Sequence, residues 1–354
     1  MNRGGRVDLA VIGYGNVARR FVALLEEEQE QLVREYDLHW RIVGVATRRH
    51  GSHFDPLGID LSSLTGPLPS FDPSINAFMV IEQLGQSEAQ LRVVVETTTL
   101  DVKNGQPAID HVRAAIESGC HVVTANKGPA AFAYSSLRDE AAAAGVHFLF
   151  EGAVMDGIPI FNLVRETLPG VDVRGFRGVI NSTTNHILTA MERGDAFDDA
   201  LARMQAEGIA EADPSLDLDG WDAAAKASVL ANVLLDARVT PLNVKRAGIR
   251  TSHAERAQNA LANGRRLKLV ATATRTDSGS VAVAVEPIEL PTSDLLASLD
   301  GKANALILET DLLGEIAICQ LEGNLTHTAY ALLSDLVTVR TRPVPRAAPV
   351  HRTL

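Results

Sequence analysis

The sequence predicts an α/β protein in which a Rossmann-type domain precedes a mixed α+β domain. Short apolar runs alternate with helical patterns through the first half of the chain, a rhythm typical of a parallel sheet with helices on both faces. The pattern changes after Gly175, which indicates a second domain of different architecture. A length of 354 residues suits two domains of ordinary size.

The elements of the first half follow from the apolar runs. A strand predicted at 7–13 leads directly into a helix predicted at 16–28. The later elements are predicted as strands at 41–47 and 92–98, a helix at 107–118, a strand at 121–126, a helix at 128–144 and a strand at 147–152. Residues 50–75, rich in Gly, Pro and Ser, are predicted to form a loop.

The second half has fewer clear signals. Its predicted elements are a strand at 176–183, a helix at 197–206, a long buried helix at 220–236 and strand-like stretches within 267–291 around a Thr-Asp-Ser-Gly turn. The chain shows no internal repeat and no low-complexity segment. These features predict a mixed α+β domain.

Composition excludes several classes of partner. The chain has 33 Lys and Arg against 44 Asp and Glu, a net charge of -11, so no nucleic-acid partner is expected. No apolar run approaches the roughly 18 residues of a membrane span, and no signal peptide is recognised. Cys120 and Cys319 are too far apart in sequence to form a CxxC pair. A cytoplasmic protein without a membrane partner is expected.

A glycine-rich loop follows the first predicted strand. It has the form G-x-G-x-x-A and consists of Gly13, Tyr14, Gly15, Asn16, Val17 and Ala18. Gly13 permits a tight turn, Gly15 lets the backbone approach a pyrophosphate, and Ala18 allows close packing of helix on strand. Its place between a strand and a helix favours dinucleotide binding over a turn that serves packing alone.

The end of the second strand bears on the choice of cofactor. NAD-binding proteins usually carry an acidic residue there for the ribose hydroxyls, whereas this chain has Arg48 and Arg49. Two guanidinium groups suit a 2′-phosphate, so NADP is favoured and NAD stays possible. The alternative is a solvated basic turn.

The most informative stretch carries five acidic residues between Glu211 and Asp222 and ends at Lys226. Asp222 and Lys226 are four residues apart and share one helix face, yet the helix around them is apolar. A lysine on a mostly buried helix needs partners, and burial favours a role in proton transfer. The alternative is a surface salt bridge of little energetic weight.

Other polar residues follow two strands of the predicted parallel sheet. Lys127 follows the strand at 121–126, and Thr97 and Thr98 end the strand at 92–98. Ligands of open α/β sheets bind beyond this edge, so these side chains are candidates for one crevice. The alternative for Lys127 is an ordinary exposed lysine.

The chain resembles the homoserine dehydrogenase family over most of its length. The matching motifs are the glycine loop, TANKGP, EGAVMDGIPI, GVINSTTNHIL and EADPSLDLDGWDAAAK, of which the last two are highly specific together. The resemblance implies reduction of aspartate semialdehyde to homoserine with a nicotinamide cofactor, on the route to threonine and methionine. It also implies a homodimer, whose second domain binds substrate and forms the dimer contact.

The resemblance assigns roles to individual residues. It makes Lys226 the proton donor and acceptor at the substrate oxygen, with Asp222 as its partner. Glu211 and Asp217 hold the substrate amino group and hydroxyl. Lys127 and Thr183 contribute where cofactor and substrate meet. A monovalent cation, expected to be Na⁺, is implied at the backbone carbonyls of Glu151, Val154, Asp156 and Ile158.

The chain departs from the family pattern at four places. It has Met155-Asp156 where the family often has Gly-Gly, Ser182 where it often has Gly, and Ile209 where it often has Tyr. Residues 320–327, with Glu322 and His327, replace a Gly-Pro-Gly-Ala-Gly loop. This last change leaves open a different amino-acid alcohol or semialdehyde as substrate. A catalytically silent dinucleotide-binding sensor is a further alternative.

The expected organisation has three parts. Residues 1–150 form the dinucleotide-binding domain, and 151–315 form the substrate-binding and dimerisation domain. Residues 316–354 are expected to return to the first domain. The length leads us to expect a short form without the regulatory domain that some family members append.

Overall fold

The computed structural model describes residues 6–206, 213–276 and 278–344. The chain divides into two compact units. Unit 1 consists of Met1–Pro129, Ala133–Pro159 and Asn324–Leu354, and unit 2 consists of Ala130–Phe132 and Ile160–Gly323. Within the described ranges, no helix is long and apolar enough to cross a membrane.

Twelve strands are described. They are β1 (Arg6–Ile12), β2 (His39–Thr47), β3 (Gly51–Phe54), β4 (Leu91–Glu96), β5 (His121–Thr124), β6 (Phe148–Leu149), β7 (Val173–Val179), β8 (Lys245–Arg246), β9 (Arg265–Arg275), β10 (Val281–Pro291), β11 (Asn304–Thr310) and β12 (Gly314–Gln320).

The described α-helices cover both units. They are α1 (Asn16–Glu27), α2 (Gln29–Tyr36), α3 (Ala77–Gly85), α4 (Ala108–Glu117), α5 (Lys127–Ala144, with non-helical backbone at Ala133), α6 (Ser182–Glu192), α7 (Phe197–Ala206), α8 (Ser215–Leu218), α9 (Trp221–Leu234), α10 (His253–Ala262) and α11 (Leu325–Thr341).

Unit 1 is built on a six-stranded sheet of order β3-β2-β1-β4-β5-β6. All neighbours are parallel except β3, which runs antiparallel beside β2. The chain places β2 on one side of β1 and β4 on the other. The carboxyl end of β1 is therefore the switch point at which open α/β sheets bind ligands.

The central strand β1 is buried on both faces. Leu9 and Val11 belong to an apolar cluster that includes residues of α1 and α11, while Ala10 and Ile12 belong to a second cluster with residues of α3 and α4. This alternation is the two-residue period of a strand with helices packed on both faces.

Unit 2 contains the second six-stranded sheet, of order β12-β11-β7-β9-β10-β8. Its pairs are antiparallel apart from β8 beside β10. Helices α6, α9 and α10 pack against β9, and α9 also packs against β10. The first residues of α6 and α9 carry the polar side chains considered below.

The predicted α/β class is confirmed, and three local predictions are wrong. The strand predicted at 147–152 is limited to β6 (Phe148–Leu149), and a 3-10 helix follows at Glu151–Ala153. The strand predicted at 176–183 ends at Val179, and α6 begins at Ser182. Asn181 caps this helix, since its side chain accepts a hydrogen bond from the Thr184 backbone. The loop predicted at 50–75 contains β3, a short edge strand that pairs with β2.

Candidate functional site

An acid–lysine cluster, made of Asp217, Asp222 and Lys226, lies in unit 2. Lys226 and Asp222 are one turn apart on α9, with Nζ 3.1 Å from Oδ2. The same Nζ donates a hydrogen bond of 2.9 Å to the backbone oxygen of Ile180. The two side chains are only 16% and 17% exposed. Partners on α9 and on the connection between β7 and α6 therefore fix the position of this ammonium group.

Asn181 connects the cluster and was not identified from the sequence. Its Nδ2 donates to Asp217 Oδ1 at 2.7 Å and to Asp222 Oδ2 at 3.0 Å. Its Oδ1 accepts from the backbone of Thr184 at 2.9 Å, which caps α6. One amide thus links the start of α6 with α8 and α9. The only signal in the sequence is an Asn placed just before a helix.

The environment of Asp217 shapes its protonation. Burial raises the pKa of this carboxyl, and the neighbouring charge of Asp222 raises it further. Hydrogen bonds from Asn181 and Thr183 and the charge of Lys226 act in the opposite direction. Two carboxylates beside one ammonium leave the cluster short of positive charge, so a cationic ligand would be stabilised here.

The α8–α9 corner presents the two carboxylates. Gly220 adopts a left-handed φ of 78° between the helices. Arg246 lies 3.7 Å above the ring of Trp221, the first residue of α9, in a cation–π contact. From Ala223 to Asn232 the helix is mostly buried, as the apolar pattern predicts. Glu211, predicted to hold the substrate, lies outside the described residues.

The glycine loop of unit 1 has the geometry of a phosphate cradle. Gly13 has φ +86°, and a Cβ added there would lie 2.8 Å from backbone atoms of Thr97 and Thr98. A Cβ added at Gly15 would meet nothing within 4 Å. Gly15 is also the N-cap of α1 and has no side chain to bond the first-turn N–H groups. This open helix end fits a dinucleotide pyrophosphate.

The remaining residues of the loop continue into α1. Asn16 is exposed, Val17 is half-buried and Ala18 is fully buried against the sheet. The Ala18 side chain lies within the apolar cluster shared with β1. Close packing of helix on strand is the function that the motif predicts for a small residue at this position.

The loop after β4 lies beside the glycine loop. Thr97 Oγ1 donates to the backbone oxygen of Gly13 at 2.7 Å. The Thr98 backbone and Thr124 Oγ1 each donate to the carboxylate of Glu96, both at 3.1 Å. Glu96 is fully buried and was not identified from the sequence. An acid ending the apolar run RVVVE is the signal, because buried acids require partners.

Lys127 begins α5, directly after β5, and is half-buried. The preceding residue, Asn126, accepts from the Gly128 backbone at 2.8 Å and donates to the Thr98 backbone oxygen at 3.0 Å. The loops after β4 and β5 are thus tied together at the carboxyl edge of the sheet. Lys127, Thr97 and Thr98 share this edge.

Arg48 and Arg49 form the turn between β2 and β3. Both are exposed, and neither forms an ion pair with any residue in the described ranges. Thr47 Oγ1 closes the turn by accepting from the His50 backbone at 2.9 Å and donating to Gly51 at 3.1 Å. The two guanidinium groups are therefore accessible to an anion from solvent.

The segment with the predicted cation ligands bends tightly. Glu151 starts a short 3-10 helix, and its backbone N–H donates to Asp335 at 2.8 Å. Asp156 has a left-handed φ of 49°, and its carboxylate accepts from Thr328 at 3.0 Å. Within the described residues, no group of three or more His, Cys, Asp and Glu could hold a metal. A cation here would depend on main-chain carbonyls, including those of Val154 and Ile158.

Glu322 and His327, in the segment that replaces the Gly-Pro-Gly-Ala-Gly loop, differ in exposure. Glu322 is exposed. His327 lies in the first turn of α11, where its backbone donates to the capping side chain of Asn324 at 3.1 Å. An added Cβ at Gly157 would lie 2.5 Å from the His327 backbone oxygen. The hydrogen bond between the His327 backbone and the Asn324 side chain thus caps the start of α11.

Two family models match the chain. The homoserine dehydrogenase model matches residues 159–337, and the homoserine dehydrogenase NAD binding domain model matches 13–151. The NAD(+)-dependent homoserine dehydrogenase of Pseudomonas canavaninivorans is 36% identical over 340 residues, which cover 94% of this chain and 95% of the relative. The homoserine dehydrogenase of Methanocaldococcus jannaschii is 33% identical, with coverages of 94% and 98%. A homoserine dehydrogenase structure from Thiobacillus denitrificans has a TM-score of 0.80 at 31% identity, covering 95% of this chain and 73% of that chain.

Proposed function

The chain belongs to the homoserine dehydrogenase family, and on that premise we propose that it interconverts L-aspartate 4-semialdehyde and L-homoserine with a nicotinamide dinucleotide. The observation that carries this proposal is the linked set of Asp217, Asn181, Asp222 and Lys226 in unit 2. The set combines carboxylates for an ammonium-bearing substrate with a lysine for its oxygen. The presence of all four of these residues also disfavours a silent sensor.

Lys226 is proposed to move the proton. When bound, the nicotinamide supplies the hydride to the aldehyde carbon or accepts it from the alcohol carbon. As the aldehyde is reduced, negative charge develops on its oxygen, and Lys226 donates a proton from Nζ to that atom. In the reverse direction the neutral amine takes the hydroxyl proton. Asp222, 3.1 Å away, orients Nζ and stabilises its charged form.

Asp217, together with Glu211, is proposed to hold the polar groups of the substrate. Its carboxylate is oriented by Asn181 and Thr183 and lies in a partly buried position that opposes ionisation. An incoming ammonium group relieves that cost by supplying the opposite charge. Substrate binding and ionisation of Asp217 are therefore coupled.

The cofactor is proposed to bind at the carboxyl edge of the unit 1 sheet. Gly13 and Gly15 admit the pyrophosphate, and the first-turn N–H groups of α1, at Asn16, Val17 and Ala18, donate to it. Thr97, Thr98 and Lys127, at the same edge, are proposed to contact the nicotinamide half. The fit depends on the close approach at Gly13 and the open space at Gly15.

NADP is proposed as the preferred cofactor because Arg48 and Arg49 are exposed at the end of β2 and lack carboxylate partners in the described residues. NAD is the second candidate, because the relative from Pseudomonas canavaninivorans is NAD(+)-dependent. The test compares kcat/KM for NADPH and NADH in wild type and in Arg48→Ala and Arg49→Ala. A loss confined to NADPH supports the first candidate, and an unchanged ratio removes both arginines from cofactor choice.

Two further features of the family are proposed. Na⁺ is proposed to bind the main-chain carbonyls of Glu151, Val154, Asp156 and Ile158, supported by the tight turn that this segment forms. Replacing sodium with tetramethylammonium chloride at constant ionic strength should then lower activity. A homodimer is also proposed, for which light scattering should give twice the mass of one chain.

The substrate is tested by following NADPH oxidation with aspartate semialdehyde and with longer and shorter amino-acid semialdehydes. Aspartate semialdehyde is expected to give the highest kcat/KM. Turnover of another semialdehyde instead would assign a different substrate to the same chemistry. Cofactor binding without turnover of any would show a dinucleotide-binding sensor.

A further inference from the structure

Ser182 occupies a position inside the proposed substrate site that the roles above leave unused. It is the first residue of α6, between Asn181 and Thr183, and both of these neighbours bond Asp217. Ser182 is partly exposed, whereas Asn181 and Thr183 are each 5% exposed. A side chain flanked by two groups of the acid–lysine cluster and open on one side is placed to contact the same ligand.

Asn304 orients the Ser182 hydroxyl. Its Nδ2 donates to Ser182 Oγ at 2.8 Å and also approaches Gln320 Oε1 at 3.4 Å. Because Ser182 Oγ acts as the acceptor in this contact, its own hydrogen points elsewhere. No acceptor within the described residues takes that hydrogen. The hydroxyl is therefore a positioned donor.

Asn304 also leaves an acceptor for a ligand or water. The residue is 4% exposed, and its Oδ1 has no hydrogen-bond partner in the part of the chain that the structure describes. A buried acceptor without a partner is costly unless a group from outside supplies the donor. Of this pair, the Ser182 hydroxyl can donate to an anionic ligand, whereas Asn304 Oδ1 requires a donor such as a water molecule.

The charges around Ser182 indicate which group of the substrate its hydroxyl would contact. The first turn of α6 contains no acidic residue, and its N–H groups give this helix end a positive partial charge. The carboxylates of Asp217 and Asp222 accept hydrogen bonds from the Asn181 side chain, which precedes this helix end. A zwitterionic amino acid would direct its ammonium to these acids and its carboxylate to the helix end.

We propose that Ser182 donates a hydrogen bond to the substrate carboxylate, with Asn304 as its positioning residue. This inference rests on the proposed function. Two departures from the family pattern take part in this arrangement, since Ser182 and Gln320 both contact Asn304. The pair would make recognition of the carboxylate depend on this chain's own side chains as well as on the backbone of α6.

The test compares Ser182→Ala with Ser298→Ala, an exposed serine in the same unit, as the matched control. The substrates are aspartate semialdehyde and 3-aminopropanal, which keeps the ammonium and aldehyde groups but lacks the carboxylate. Ser182→Ala should lower kcat/KM for aspartate semialdehyde about tenfold or more, mainly through KM. It should change kcat/KM for 3-aminopropanal less than twofold. The ratio of kcat/KM for aspartate semialdehyde to that for 3-aminopropanal should therefore be smaller in Ser182→Ala than in the wild type.

Asn304→Ala tests the positioning role. In the Ser182→Ala background, Asn304→Ala should add less than a twofold change, although alone it weakens binding of aspartate semialdehyde. Thermal unfolding checks that the variants fold. Equal losses for both substrates would make Ser182 structural and overturn the inference. Absence of turnover by the wild type would instead overturn the proposed function.

Discussion

Substitution of Asn181 tests most clearly whether this residue has only a structural role or also a functional one. Asn181→Ala removes the cap of α6, worth about 1 kcal/mol, and two hydrogen bonds to carboxylates, each worth about 1.5–3 kcal/mol. We therefore expect a loss of about 4–7 kcal/mol in the free energy of unfolding at pH 7. We also expect kcat/KM for aspartate semialdehyde to fall about 100-fold, because Asp217 and Asp222 lose their common donor.

Asn76→Ala is the matched control. Asn76 caps α3 through its side chain, which accepts from the Met79 backbone, and the residue is exposed. Its substitution should cost only about 1 kcal/mol. Kinetic constants should stay at wild-type values, because the lost contact is confined to the start of α3.

The most specific prediction for Asn181→Ala is how its loss in the free energy of unfolding depends on pH. The pKa of Asp217 is raised by burial and by Asp222, and loss of the Asn181 donor raises it further. A carboxyl with a raised folded-state pKa loses stability as pH rises through that pKa. The deficit of Asn181→Ala should therefore be smaller at pH 4 than at pH 8, by the part that depends on ionised Asp217. Urea unfolding at both values measures it, and a deficit equal to that of Asn76→Ala at both would refute the reasoning.

Two further predictions concern stability and cofactor binding. Burial lowers the pKa of Lys268 from 10.5 to about 8, so its ionised form costs stability below pH 8, and this cost is relieved as pH rises toward 10.5. Wild-type unfolding free energy should contain a rise of about 3 kcal/mol across that window, and urea titrations of Lys268→Met should lack it; the same rise in the variant would contradict the assignment. Gly13→Ala should cost about 2–3 kcal/mol and abolish measurable dinucleotide binding by calorimetry, because its Cβ meets the backbone of Thr97. Gly145→Ala, also at positive φ but in open space, should cost only about 1 kcal/mol and bind normally.

The first unit could be predicted well because its signals are local. Parallel strands buried on both faces appear as continuous apolar runs, and β1 differs by one residue from the predicted strand. The glycine loop marks the turn and the start of α1. The edge strand β3 was missed because its sequence, GSHF, has no apolar run and is stabilised by pairing with β2.

The start of α6 could not be predicted from local preference. Its sequence, STTNHILTA, is rich in β-branched residues and favours a strand on propensity alone. Burial of most of the helix and the cap from Asn181 override that preference. Capping depends on one side chain, which the apolar pattern does not report.

The acid–lysine pairing was predictable, whereas its connections were not. Asp222 and Lys226 are four residues apart, so helical periodicity alone brings them together. Asn181 and Asp217 are 36 positions apart in sequence and meet only after α6 and α8 pack. Glu96 and Asn304 likewise gain their contacts from neighbouring strands and loops. Such contacts depend on tertiary structure and leave little trace in a single sequence.

Lys226 provides the most direct test of the proposed chemistry. Lys226→Ala and Lys226→Met should lower kcat for aspartate semialdehyde reduction about a thousandfold, since proton donation to the developing oxyanion is lost. The dinucleotide Kd, measured by fluorescence in the same preparations, should change less than threefold. A variant that keeps a rate close to the wild type would contradict the role of Lys226 and, with it, the mechanism built on the acid–lysine cluster.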